Sequence, residues 1–158
     1  MHALTLKFDV KPKAIQSVRI GRCGGFARAF QPQENVNWKA LISMMARQQI
    51  PVGFKAFDEV PLKITVVFSY LPPKSWPKYR LKALENGFCF RKITKPDLSD
   101  NLMKGLCDAL TGIVWRDDSI IVSIVSDKYY ATTEEITIKV EPLDEMFKQG
   151  TANNTFEW

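Results

Sequence analysis

Short stretches of alternating hydrophobic and polar residues predict most of the strands of this protein. Leu4, Leu6 and Phe8 alternate with polar residues, and the β-branched and aromatic run VPLKITVVFSY at residues 60–70 is typical of a central strand. Gly24-Gly25 lies between two further predicted strands, and this arrangement indicates a hairpin with the glycines in its turn. The predicted strands cover residues 3–10, 17–22, 26–30, 60–70, 119–125 and 129–140, with a turn near residues 126–128 between the last two.

Hydrophobic residues recur at helical spacing in two other regions. Residues 35–49 carry an apolar face at intervals of three and four, and Pro51 follows this stretch. A second helix is predicted at residues 97–111, where four leucines form an apolar stripe and Gly112 is placed as the C-terminal cap. A sheet packed against these two helices would bury the apolar face of each.

The length and composition favour one globular domain. The 158 residues are 46% hydrophobic and 25% charged, so a core can form without a disulfide framework or a metal. We expect an α+β domain at residues 1–142, with a mixed or antiparallel sheet, followed by a tail or short helix at residues 143–158. The three cysteines form no CxxC pair, which fits a reducing cytoplasm. No apolar run approaches the roughly 20 residues that span a bilayer.

A basic segment interrupts these elements. Residues 71–95 contain three prolines and seven basic residues against one acid, Glu85, for a local charge of +6. Such long loops are usually functional or mobile, and a short helix is predicted near residues 79–85. Trp76 in this segment can stack on unpaired bases or pack beneath the loop. Residues 1–31 carry a second basic excess, which solvated strand edges would partly explain. The predicted DNA-binding residues are Lys74, Lys78, Arg80, Lys82, Arg91, Lys92 and Lys95, together with Lys11, Lys13, Arg19, Arg22 and Arg28.

The second predicted helix has a polar stripe opposite its leucines. Asp97, Asp100, Lys104 and Asp108 recur at spacings of three and four. Taken alone, this stripe is more typical of a solvated helix face. Asp97 would then cap the N-terminus, and Asp100 would form an ordinary i,i+4 ion pair with Lys104.

Asp117 and Asp118 change this interpretation because they follow the helix at the entry to the next strand. In isolation each aspartate would be read as a turn residue. However, adjacent elements are usually neighbours in space, so these acids can return to the start of the helix. Carboxylates about 4 Å apart repel by about 4 kcal/mol at an effective dielectric near 20, so such a cluster calls for a cation. Oxygen ligands without His or Cys favour Mg²⁺ or Mn²⁺, and an acid cluster beside a basic segment suits metal-assisted phosphodiester chemistry.

One region combines KPDLSDNL at residues 95–102, Lys104, DAL at 108–110, Gly112 and Asp117-Asp118. Together these residues resemble the signature of the RusA family of Holliday junction resolvases. PKSW at residues 73–76 is also similar to Gram-positive and phage members of that family. The resemblance covers about residues 60–140. It implies a homodimeric, Mg²⁺- or Mn²⁺-dependent endonuclease of phage or prophage origin. Such an enzyme makes paired nicks across a four-way DNA junction in recombination and repair.

The resemblance also implies roles for individual residues. Asp97, Asp100 and Asp118 correspond to metal ligands, with Asp117 as a neighbouring candidate, and Lys104 corresponds to the catalytic lysine. The family usually reads Asp-x-Asp-Asn, whereas this chain reads Asp-Leu-Ser-Asp-Asn, one residue longer. In a helix the extra residue would bring Asp97 and Asp100 onto one face, and in an extended segment it would separate them.

Two other functions stay open at this point. A noncatalytic protein that binds junctions or single-stranded DNA would show salt-sensitive binding that is indifferent to Mg²⁺. A metal nuclease of another specificity would cut flaps, other branched DNA or RNA. Under each of these hypotheses the expected partner is a nucleic acid. We expect no membrane partner and a cytoplasmic location.

Overall fold

The described part of the chain forms a mixed sheet with two α-helices packed on it. The structure is a computed structural model that describes residues 2–14, 19–30 and 32–148. Within these ranges the strands are β1 (Leu4–Phe8), β2 (Arg19–Cys23), β3 (Phe26–Phe30), β4 (Leu62–Tyr70), β5 (Phe90–Arg91), β6 (Ile121–Tyr130) and β7 (Glu135–Pro142). The α-helices are α1 (Gln33–Gln49), α2 (Lys78–Glu85) and α3 (Met103–Leu110). The α+β prediction is confirmed.

Strand β4 is central, as its β-branched sequence predicts. The main sheet has the order β1-β7-β4-β6-β5, in which β4 pairs antiparallel with β7 and parallel with β6. A parallel pair needs a crossover connection, which here contains α2, β5 and α3. The basic segment and the acidic stripe both lie in this crossover.

The core lies between the sheet and the pair of helices α1 and α3. Ile64 and Phe68 of β4, Ile138 of β7, Ile42 of α1 and Leu106 of α3 are all fully buried. Burial of such a side chain stabilises the fold by about 1.5–3 kcal/mol. The apolar stripe therefore fixes the rotation of α3 and turns Lys104 and Asp108 to the outside.

Strands β2 and β3 form a separate hairpin. Its turn, Gly24-Gly25, has φ values of 60° and 88°. Both values lie in the left-handed region, which glycine adopts without the strain that a Cβ would introduce. The hairpin prediction is confirmed for the described residues, and residues 17 and 18 of the predicted first strand lie outside them.

The predicted division between the last two strands is wrong. A turn was expected near residues 126–128, but β6 continues to Tyr130, and Ser126 and Lys128 pair with β4. Polar residues are tolerated here because β6 lies next to the sheet edge and leaves them partly exposed. The observed turn at residues 131–134 is held by the buried Ser69 hydroxyl, which donates to Thr133 O at 2.9 Å.

The C-terminal prediction is tested only in part. Residues 143–148 form neither helix nor strand, and residues 149–158 lie outside the described residues. Among the residues that the structure describes, no helix has both the length and the apolar character needed to cross a membrane.

We expect Leu106→Ala to lower the free energy of unfolding by about 2–5 kcal/mol, because it leaves a cavity at a fully buried site. Leu143 is 37% exposed, so Leu143→Ala should cost no more than about 1 kcal/mol. Urea denaturation followed by circular dichroism measures both values. Equal losses for the two variants would contradict the assignment of Leu106 to the core.

Candidate metal site and basic groove

Asp97 and Asp100 lie at the first turn of the helical segment. The backbone of Asp97 is extended (φ −69°, ψ 134°), and Leu98–Leu102 then form a π-helical turn. Both carboxylates are exposed. Within the described part of the chain, the Asp97 side chain makes no capping hydrogen bond. The carboxylate is thus available to a cation, and the simple capping interpretation is not supported.

The π-helical turn begins directly after Asp97. The amide N–H of Leu102 donates to Asp97 O at 3.2 Å, an i to i+5 bond that encloses one residue more than an α-helical bond. Asp97 itself precedes the helix, so the helix begins at Leu98. Lys104 follows in α3, is exposed, and forms no ion pair with Asp100 among the described residues.

Lys128 of β6 holds the segment that leads into Asp97. Its Nζ donates to Thr94 O and to Pro96 O, both at 2.7 Å. Lys92 Nζ donates to Thr94 Oγ1 at 2.7 Å and to Tyr130 OH at 3.3 Å. The hydrogen bond with Thr94, followed by the contact with Lys92, lowers the pKa of Tyr130. Residues 92–96 are therefore tied to the C-terminal end of β6.

The turn after α3 is equally well anchored. Trp115 is fully buried, and its indole N–H donates to Thr111 Oγ1 at 3.1 Å. The Arg116 guanidinium pairs with Asp58 at 2.9 Å, and the Arg116 amide N–H donates to Phe57 O. These contacts fix the backbone immediately before Asp117.

Asp117 and Asp118 have different surroundings. The Asp117 carboxylate accepts the Ser119 amide N–H at 2.8 Å, and this bond lowers the pKa of Asp117, as in a structural turn. Asp118 begins a short 3₁₀ turn and is exposed. Burial, followed by the negative charges of Asp118 and Asp108, raises the pKa of the Cys107 thiol to about 11. Asp118 lies in the connection between the end of α3 and the start of β6.

In one chain, Asp97 and Asp118 lie at opposite ends of the helical segment. Asp118 lies just before Ile121, the first residue of β6, whereas Lys128, seven positions and roughly 23 Å further along that strand, donates to Pro96 O beside Asp97. The expected return of Asp118 to the start of the helix thus differs from the structure. Across residues 2–14, 19–30 and 32–148, no three His, Cys, Asp or Glu side chains form a group that could hold a metal ion. Asp108 is paired with Lys39 at 3.3 Å.

The three aspartates nevertheless fit a hard divalent cation by donor type. Asp97, Asp100 and Asp118 are exposed carboxylates, and Cys107, in the same helical segment as Asp100, is buried and has a raised pKa. Carboxylate oxygens suit Mg²⁺ and Mn²⁺, whereas a protonated thiol is a poor ligand.

A groove of about 980 Å³ lies at the C-terminal ends of β4 and β6. Its apolar lining includes Trp38, Leu41, Tyr70 and Tyr130, and it reaches Pro96, the residue before Asp97. Five lysines and one acid, Glu134, also line it. Aromatic side chains combined with cationic ones are typical of surfaces that bind single-stranded nucleic acid. The lysines are Lys11, Lys13, Lys74, Lys92 and Lys95.

Arg80, one of the predicted DNA-binding residues, is instead part of an aromatic cluster. Its guanidinium lies 4.0 Å from the centroid of the Trp76 ring and 4.6 Å from that of Phe90. Trp76 also packs edge-on against Phe90 and Tyr130, at centroid distances of 5.1 and 4.8 Å. The packing interpretation of Trp76 is therefore the one that the structure favours.

The remaining basic residues lie in several environments. Arg91 pairs with Asp127 at 3.4 Å, while Lys78 and Lys82 are exposed on α2. Arg19, Arg22 and Arg28 belong to the β2–β3 hairpin, but their side chains lie outside the described residues.

Thr94, Lys128 and Tyr130 form a part of the site that the sequence pattern does not indicate. Their contacts join residues 32 to 38 positions apart, so no local periodicity reports them. The polar character of Lys128 even favoured a turn where the structure has a strand.

We expect Lys128→Met to destabilise the protein by about 1–3 kcal/mol, because Thr94 O and Pro96 O lose a charged donor. Amide hydrogen exchange at residues 94–98 should accelerate more than elsewhere. Lys139, whose only ion pair is the exposed one with Glu141 in the described region, supplies the control Lys139→Met, with an expected change of about 0.5 kcal/mol or less. Unchanged exchange at residues 94–98 would contradict the anchoring role.

Most of the chain is similar to known proteins. Residues 9–141 match the family described as Endodeoxyribonuclease RusA. The chain is also similar to a protein of Bacillus subtilis (strain 168) described as Uncharacterized protein YqaN, with 28% identity over 111 residues, which are 69% of this chain and 75% of that protein. The family match begins after β1 and contains the other strands of the sheet up to residue 141, the basic segment and all the candidate acids. The chain belongs to the RusA family of endodeoxyribonucleases.

Proposed function

We propose that this protein is a Mg²⁺- or Mn²⁺-dependent endonuclease that resolves four-way DNA junctions by paired symmetric nicks. The observation that carries the proposal is the exposed Asp97 carboxylate, which makes no capping hydrogen bond within the described residues. It precedes the π-helical turn that contains Asp100, Lys104 follows in α3, and the chain belongs to the RusA family. That family acts on branched DNA and generally depends on divalent metal ions.

Each candidate residue has a distinct role in this proposal. Asp97, Asp100 and Asp118 would hold the ion, which when bound polarises the scissile phosphate and activates water. Lys104 would neutralise the negative charge that develops on the phosphate in the transition state. Lys128 would act as a positioning residue, since it holds the backbone that ends at Asp97 before DNA binds.

The groove would bind the DNA backbone next to the cutting site. Its lysines come from the N-terminal segment and from residues 71–96, and it reaches Pro96 beside Asp97. A phosphate strand in the groove would therefore lead directly to the proposed metal ligands. Lys78 and Lys82 on α2, and the hairpin arginines Arg19, Arg22 and Arg28, would contact more distant phosphates.

We expect Asp97→Asn and Asp118→Asn each to reduce nicking of a synthetic four-way junction about 100-fold or more, because each removes a negatively charged ligand. Asp108→Asn is the matched control: this acid lies on the same helix but pairs with Lys39, and its loss should leave nicking near the wild-type rate. Gel assays with Mg²⁺ measure all three. Full cleavage by Asp118→Asn would exclude it from the site.

A noncatalytic junction-binding protein is the second candidate, and the separation of Asp118 from Asp97 along β6 favours it. It predicts tight, salt-sensitive binding and no nicks by the wild type with Mg²⁺ or Mn²⁺. Comparison of a four-way junction, a flap, a linear duplex and a single strand also distinguishes resolution from another nuclease specificity. Cleavage of only flaps, single strands or RNA would decide against resolution.

We expect Leu41→Glu to weaken junction binding about tenfold in EDTA, because it places a carboxylate in the groove. Met44→Glu is the control, since Met44 is exposed on the same helix and is not among the residues that line the groove. Fluorescence anisotropy at fixed salt compares the two. Equal weakening by both variants would show an effect of net charge alone and would contradict the role of the groove.

A further inference from the structure

The groove at the C-terminal ends of β4 and β6 is more apolar than a site for phosphates alone requires. Apart from its five lysines and Glu134, every described residue that lines it is apolar or aromatic. Its volume of about 980 Å³ falls in the range of clefts that enclose small organic ligands, roughly 300–1,000 Å³. Apolar walls gain nothing from a phosphate, whereas aromatic ones stack on the face of a nucleobase. The lining therefore fits bases as well as the DNA backbone.

Two polar groups in this lining lack hydrogen-bond partners. Trp38 is 9% and Tyr70 6% exposed, and within the described residues neither the Trp38 indole N–H nor the Tyr70 hydroxyl is bonded. Buried polar groups in native proteins are nearly always bonded, and leaving one without a partner costs stability. Burial, followed by the negative charge of Glu134, raises the pKa of Tyr70, so the hydroxyl keeps its proton. The groove thus contains two donors without acceptors.

An unpaired nucleobase supplies what these donors lack. The edges of the bases carry oxygen and nitrogen acceptors, and their faces stack on aromatic side chains. In an intact duplex the pairing edges and the faces are already occupied, so only a base that has left the helix can enter a pocket. Both donor atoms are closed to solvent in the free protein. The lining must therefore shift when a base enters, as side chains at binding sites commonly do.

The lysines of the groove complete such a site. Lys92 Nζ lies 5.1 Å from the centroid of the Tyr70 ring and 5.0 Å from that of Tyr130, so one cation contacts both aromatic rings. Lys74 and Lys95 also line the groove and are exposed. Exposed lysines of this kind can hold the phosphates that flank a bound base.

We propose that the groove binds one unpaired base of branched DNA, with Trp38 and Tyr70 donating to its acceptor atoms and the lysines holding the flanking phosphates. This inference rests on the proposed function and names the feature of the substrate that is recognised, an unpaired nucleotide at the branch point. The groove reaches Pro96, the residue before Asp97. A base held there would place the adjoining phosphodiester beside the proposed metal ligands.

Two DNA duplexes that differ by a single base test this site. Each has one unpaired nucleotide, which carries either thymine or no base, so that the charge and the backbone are the same. In EDTA the wild type should bind the thymine duplex about tenfold more tightly, because only a base stacks and accepts hydrogen bonds. Fluorescence anisotropy at fixed salt measures both dissociation constants. Equal affinities for the two duplexes would overturn the proposal.

Tyr70→Phe removes the hydroxyl and keeps the ring. This variant should reduce the preference for thymine about threefold and leave the affinity for the abasic duplex unchanged. Its melting temperature should equal or exceed that of the wild type, because the lost hydroxyl has no partner in the described residues. Tyr129→Phe is the matched control, since Tyr129 is not among the residues that line the groove, and it should keep the full preference. A full preference in Tyr70→Phe would overturn the assignment of the donors.

Lys74→Ala separates the grip on phosphates from the grip on the base. Lys74 is exposed in the groove lining, so its loss should weaken binding of the thymine and abasic duplexes by the same factor. The preference for thymine should stay about tenfold. Loss of this preference in Lys74→Ala, with Tyr70→Phe unaffected, would contradict a base held by the aromatic lining.

Photo-cross-linking locates the bound base directly. A duplex with iodouracil as the unpaired base is irradiated together with the wild type in EDTA, and mass spectrometry identifies the modified residues. Cross-links should fall on Trp38, Tyr70 or Tyr130, which line the groove. Tyr79 is an exposed aromatic residue of α2 outside this lining. Cross-links at Tyr79 with none in the groove would overturn the proposal.

The outcomes separate this inference from the proposed function, because the binding and cross-linking assays use no divalent ion. If the wild type nicks no DNA but prefers the thymine duplex, the proposed nuclease fails and the base site stands. If it nicks junctions but binds both duplexes equally, the nuclease stands and the base site is wrong.

Discussion

The parallel pairing of β6 with β4 is the constraint on which the rest of this structure depends. Two parallel neighbours cannot be joined by a tight turn, so the chain must travel from the end of one strand back to the beginning of the next. The connection from Tyr70 to Ile121 does this, and it contains α2, β5, the π-helical turn and α3. The candidate metal ligands and seven of the predicted DNA-binding residues lie on this connection, whose two ends are fixed by the sheet.

The direction of the crossover also determines where the acids lie. Because α3 carries the chain back along β6, its start lies near the C-terminal end of that strand and its end near the N-terminal end. The buried leucine stripe fixes the rotation of the helix, and Trp115 fixes the turn that follows. Asp97 and Asp118 are therefore kept apart by the same packing that holds each in place.

Basic residues in this protein have structural roles as well as the proposed DNA contacts. Lys128 and Lys92 hydrogen-bond the segment before Asp97, and Arg80 packs on aromatic rings. A local charge of +6 does not distinguish these roles, since a lysine with two backbone acceptors counts the same as a solvated one. Lys11, Lys13, Lys74 and Lys95, by contrast, line the groove together with apolar side chains beside Pro96, and Lys92 belongs to both groups.

The sequence by itself determined the local features of this protein. Periodicity located β4, the two long helical segments and the glycine turn, because each depends on neighbours a few positions apart, and the motif around Asp97 indicated the family. The sequence did not reveal that β6 continues through Lys128, that Lys128 holds the segment before Asp97, or that Asp118 and Asp97 lie near opposite ends of β6. Only the tertiary structure decided these features, because they depend on strand pairing and on hydrogen bonds between residues more than thirty positions apart, which leave no local periodicity.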